Sequence, residues 1–177
     1  MFGTTRTYNV RWLMLFALVA GCESASTPAT TTVARKDGDM DFPTSYRTWP
    51  VFVEGTARKD KGQVRDIYIN AVGTTAKAGA PFPDGSELAM DIFEAATDST
   101  GAFVKGKLLK VYLMQKVHGA GAGLKAGTIP NGDWIYGAWM ADTHTPTGED
   151  FATCRACHTP QAGSDYLFKT DLYFAKP

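Results

Sequence analysis

Cysteine is scarce: 177 residues hold three. That excludes the dense disulfide framework that staples small exported domains. An excess of charge of one sign is also missing. Lys+Arg and Asp+Glu each number 18, so the formal net charge is zero. A nucleic-acid partner, which would call for a basic stripe, has no support. No apolar run reaches the roughly 18 to 20 residues that a spanning helix needs. No internal repeat is visible. The hydrophobic fraction of 44% is that of an ordinary globular chain, and the length suits one domain with one core.

What is present begins with an export signal. Arg6 and Arg11 form a positive n-region, and Trp12 to Ala20 form a short apolar run of h-region length. The run ends in Val19-Ala20-Gly21-Cys22, which looks like the lipobox of bacterial lipoproteins. The implied product starts at a lipidated Cys22. The alternative is ordinary signal cleavage nearby, which would leave a free thiol in an oxidising compartment. Residues 22–40 are rich in Ser, Thr and Ala and too poor in large apolar side chains to offset their ordering entropy. The expected organisation is therefore a lipoprotein signal peptide at 1–21, a flexible linker at 22–40 and a folded domain at 41–177. The expected location is the bacterial periplasm or cell envelope, with the chain held to a membrane by its N-terminal lipid.

Within the domain, Asp41 before Phe42-Pro43 resembles a helix N-cap, so a short helix or turn should carry Tyr46 and Trp49. Val64 to Asn70 is β-branched and aromatic and reads as a strand. Ala71 to Gly79 reads as a short helix. Pro83-Asp84-Gly85 is turn chemistry leading into a strand from Ser86 to Ala96, where Leu88, Met90 and Ile92 share one face. Asp98 to Gly101 is a hairpin loop before a strand from Leu108 to Val117. Gly119 to Gly132 reads as a long loop, Asp133 to Ala141 as an aromatic strand, and Tyr166 to Phe174 as a closing strand. A short helix should start near Gly148-Glu149-Asp150. Strands joined by turns, with helices outside them, predict an α+β domain around a mainly antiparallel sheet.

That last helix carries Cys154-Arg155-Ala156-Cys157-His158. Cys-x-x-Cys-His is the attachment signature of a c-type haem. Two thiols must reach two vinyl groups on the ring edge, and the adjacent histidine must lie under the iron. The motif predicts one covalent haem c, bonded through Cys154 and Cys157, with His158 as the proximal ligand. A structural zinc site needs four ligands, and only Cys22, His118 and His144 are left to complete one. A redox dithiol would want a βαβ context, and a plain disulfide has no use for the histidine. The sixth iron position then decides function. A methionine or second histidine there makes an electron carrier, and an open distal face makes a gas-binding or catalytic site. The candidates are Met90, Met114, Met140, His118 and His144. The methionines could equally be core packing, and the histidines solvated loop residues.

The order of several short motifs adds to this. Tyr46-Arg47-Thr48-Trp49 opens the domain, followed by Arg65-Asp66-Ile67-Tyr68-Ile69-Asn70 and Phe82-Pro83-Asp84-Gly85. Gly132-Asp133-Trp134-Ile135-Tyr136, the haem motif and Asp165-Tyr166-Leu167-Phe168 complete the series. From about residue 41 to 174 this resembles the cytochrome P-460 and cytochrome c′-β family. The resemblance implies a mainly antiparallel β fold, a C-terminal c-type haem, a five-coordinate iron with an open distal face, and a homodimer in many members. P-460 members oxidise hydroxylamine, whereas c′-β members bind nitric oxide and carbon monoxide behind an apolar cap. The distal arginine of P-460 members maps onto Arg65. Their haem cross-linking lysine maps onto Met90, and a thioether cannot form that bond. The resemblance thus implies a binder of nitric oxide or related small nitrogen oxides. Arg65 would be the distal donor, and Met90 and Leu88 part of an apolar wall. A six-coordinate electron-transfer cytochrome with an unidentified redox partner is the second expectation. A hydroxylamine-oxidising enzyme that does without the lysine is the third.

Overall fold

The computed structural model describes residues 1–4 and 35–176. Two units divide the chain, 1–32 and 33–177, and the architecture below is that of the second. Residues 5–21 of the expected export signal, and Cys22, lie outside the described residues. No helix among the described residues is long and apolar enough to cross a membrane.

Five strands form one antiparallel meander: β1 (Val51–Arg58), β2 (Gln63–Ile69), β3 (Glu87–Thr97), β4 (Phe103–Lys116) and β5 (Trp134–Met140), in that spatial order. Two α-helices follow, α1 (Phe151–His158) and α2 (Thr170–Phe174). The α+β expectation holds, and four of the five expected strands form. The closing strand does not. Tyr166 and Lys169 take left-handed φ of 64°, which breaks a pleat, and the chain turns into α2. Tyr173 on that helix stacks on Phe52 at 4.5 Å between centroids. The aromatic run is thus used by a helix rather than a strand.

Three further differences have local causes. β1 escapes sequence reading because it is bulged: its register with β2 shifts twice, and Gly55 at φ 66° places its N–H on the buried Asp66 carboxylate (2.8 Å). The helix expected over 71–79 is a single 3-10 turn, Gly73–Thr75, where the Asn70 side chain accepts from the Gly73 N–H at 2.8 Å. The helix start expected at Asp41 is instead a 3-10 turn at Tyr46–Thr48 preceded by Ser45.

Alternation along the strands gives the sheet two apolar faces. One packs Ile69, Leu88, Trp134 and Tyr136 with Phe52, Phe82 and Leu167, and takes Phe151 and Cys154 of α1 against it. The other packs Ala89, Val111, Leu113 and Trp139 beneath Phe42, Tyr46 and Trp49. Each fully buried large apolar side chain contributes about 1.5–3 kcal/mol. On the second face the buried Asp91 accepts from the Tyr46 hydroxyl and from Arg47 (3.2 Å). This gives the Tyr46-Arg47 pair a structural role. Residues 35–40, assigned to the linker from sequence, pack onto the domain: Gly38 N–H donates to Tyr136 O at 2.8 Å, and Asp37 pairs with Arg155.

Candidate haem site

Asp150 caps α1, its carboxylate accepting from the Ala152 N–H at 3.0 Å. Helical spacing then puts Cys154, Cys157 and His158 on one face, at i, i+3 and i+4. Cys154 is half-buried and Cys157 exposed, and both thiols are free. Burial pushes the Cys154 thiol up to about 11.

The helix is fixed by the residue between the cysteines. Arg155 is 1% exposed. Its Nε and Nη2 grip both oxygens of Asp37 at 2.7 and 2.8 Å, and it also donates to Ile129 O and Trp134 O. No sequence signal singled out this pair, because its partners lie 118 residues apart.

His158 is oriented by one bond. Its Nδ1 lies 2.7 Å from Tyr166 O. A carbonyl can only accept, so Nδ1 carries the proton and Nε2 keeps its lone pair. Burial pushes the imidazole below its ordinary pKa. The Tyr166 carbonyl opposes that shift, and the Arg65 charge adds to it. A neutral ring with a free Nε2 is the form an iron takes as ligand. Tyr136 and Phe168 flank the ring at 5.6 and 5.0 Å between centroids.

Strand register places the other candidates. Leu88, Met90 and Ile92 lie on the face that α1 covers, with Leu88 buried in its core and Met90 partly exposed. Met90 stands between Ile67 on β2 and Tyr112 on β4. Arg65 shares that face, two residues from Ile67. It donates to Gln63 Oε1 at 2.8 Å, its buried Nε has no hydrogen-bond partner, and it makes no ion pair among the described residues. Burial lowers its pKa, and the neighbouring Arg58 charge lowers it further. Tyr112 was missed from sequence. Its hydroxyl donates to Glu149 Oε1 at 2.9 Å, which also takes Lys110 Nζ at 2.6 Å. Burial and that carboxylate raise the Tyr112 pKa, while Lys110 above all holds Glu149 low.

The remaining sixth-ligand candidates separate. His144 stacks on Phe42 at 3.8 Å, among the residues covering the opposite face. His118 is 89% exposed and bonds Asp84 at 2.9 Å. Met114 packs against the core beside Leu88, and Met140 is exposed at the end of β5.

A Cys-x-x-Cys-His helix laid on one face of an antiparallel meander defines a class, the haem proteins of mixed α and β structure. The family model described as Cytochrome P460 matches residues 43–169, and the chain belongs to that family. Membership carries a haem cofactor and its iron. No curated protein matches the sequence. The residues present fit the group: two free thiols and a pre-oriented imidazole lie on one helical face. A buried guanidinium nitrogen without a partner stands on the sheet face that this helix covers.

Proposed function

We propose that this is an exported c-type haem protein that binds nitric oxide or a related small nitrogen oxide. Cys154 and Cys157 would hold the haem by thioether bonds and His158 Nε2 its iron. Bound there, a haem would supply an iron able to bind a small ligand. The observation that carries the reading is Arg65. A half-buried guanidinium that pairs with no carboxylate among the described residues, and whose Nε is orphaned there, is ready to donate to a ligand that gains negative charge. Met90 and Leu88 supply apolar surface on the same face, which favours a neutral diatomic over a charged substrate. Met90 in place of the lysine argues against hydroxylamine oxidation through a haem cross-link. The Val19-Ala20-Gly21-Cys22 box supports export and lipid anchoring.

The test is the absorption spectrum of the purified protein, with acid–acetone extraction for covalency. The expected result is a haem that stays with the polypeptide, an ordinary ferrous c-type spectrum, and a clear shift on adding nitric oxide or carbon monoxide. Haem lost on extraction would overturn the covalent assignment. A six-coordinate, low-spin ferrous spectrum that Met90→Ala abolishes would make the protein an electron carrier instead. A red-shifted P-460-type band would restore the hydroxylamine reading.

A further inference from the structure

The Tyr166 carbonyl that orients His158 sits in a turn that the backbone resists. Asp165 and Tyr166 are consecutive and both left-handed, at φ 52° and 64°. A non-glycine residue in that region is uncommon, and two in succession persist only where their surroundings over-determine them. Those surroundings are specific. Asp165 Oδ2 accepts from the Phe82 N–H at 2.7 Å and from Lys116 Nζ at 2.6 Å. The two side chains are 9% and 13% exposed, Lys116 and Asp165 respectively. Lys116 Nζ also lies 5.6 Å from the centre of the buried Trp134 ring. The Tyr166 N–H bonds Gln161 O at 2.8 Å, and the Tyr166 ring backs onto Gly132, where a Cβ would stand 3.1 Å from it. The chain Lys116–Asp165–Tyr166 O–His158 Nδ1 therefore runs unbroken from the end of β4 to the imidazole.

We propose that the Lys116–Asp165 ion pair is a positioning strut for the proximal histidine, and that it sets the strength of the iron–imidazole bond. The inference rests on His158 being the iron's ligand. A firmly held carbonyl acceptor draws the Nδ1 proton and makes the imidazole a stronger donor, which favours ferric over ferrous iron. Releasing the strut lets the turn relax, lengthens the Nδ1–H···O bond and weakens that donation. The pair touches neither the haem cysteines nor His158 itself, so haem attachment should survive its loss.

The experiment compares the haem-loaded full chain with Asp165→Asn, Lys116→Gln and Lys116→Arg. Covalent haem content, midpoint potential and the iron–histidine stretching frequency of the ferrous protein are read for each. The strut makes a prediction of sign that simple charge does not. Removing the Asp165 anion and removing the Lys116 cation would shift the potential in opposite directions if only their fields acted on the iron. The strut requires both variants to raise it, toward the tenfold change in redox equilibrium that equals about 59 mV. Both should also lower the stretching frequency, and Lys116→Arg should restore wild-type values. Opposite shifts, or no shift in haem-loaded variants, would overturn the strut and leave the haem assignment standing. A wild-type chain without covalent haem or without a histidine-ligated iron would overturn both. If Asp165→Asn fails to accumulate, Lys116→Gln and its Arg rescue decide the question from the other end.

Discussion

At the scale of single residues, the site divides into groups that the fold satisfies and groups that it leaves unsatisfied. Arg155 and His158 have their bonds assigned by the protein itself. Arg65 does not, since among the described residues its buried Nε has no partner and its side chain has Gln63 as sole side-chain acceptor. Leaving a buried donor unmade costs about 1–3 kcal/mol, and a bound ligand that accepts from it recovers part of that cost. Arg65→Leu should therefore weaken nitric oxide binding by about tenfold, which is about 1.4 kcal/mol. It should also shift the stretching frequency of bound carbon monoxide. Unchanged values in a correctly folded variant would reduce Arg65 to a strand-end cation. The arginine was visible in sequence as the first residue of a familiar strand motif. That it pairs with no acid among the described residues was not, because such an absence is a property of three dimensions.

Among elements, α1 carries the chemistry but is too short to hold itself. Eight residues lie below the length at which an isolated helix is stable in water. Its N-cap at Asp150 helps, and Phe151 and Cys154 pack on the sheet, but the deepest anchor is Arg155 on Asp37. Breaking a buried pair by removing one partner strands the other charge and typically costs about 3–5 kcal/mol. Asp37→Ala should cost that much in chemical denaturation of the domain, although residue 37 falls in a segment whose composition reads as linker. A loss well under 1 kcal/mol would mean that water or another group takes over the guanidinium. The strands that were legible, β2 to β5, alternate or run apolar over several residues. β1 was hidden by its bulge at Gly55. The Tyr166–Phe174 segment was misread because two left-handed residues, which no periodicity reports, turn an aromatic run into a helix.

For the whole molecule, the expected N-terminal signal and the folded domain make separate claims. If Cys22 is lipidated, Cys22→Ser should release the protein from the membrane fraction or block its processing. A mature wild-type chain without lipid at position 22, read by mass spectrometry, would sink that claim while leaving the domain's chemistry untouched. Sequence by itself determined the Cys-x-x-Cys-His motif, the antiparallel α+β class and the family, and it raised the expectation of a lipobox. Each is a matter of residue type at short spacing, and short spacing survives without the fold. Tertiary structure alone decided which candidates lie on the sheet face that α1 covers. It set His144 against Phe42 on the opposite face and His118 against Asp84 at the surface, brought Tyr112 to Glu149, and joined Asp37 to Arg155 and Lys116 to Asp165. The last three pairings span 37 to 118 residues of chain and one face or the other of a sheet. They depend on strand register and on where bulges and left-handed turns fall. A local pattern carries no record of either.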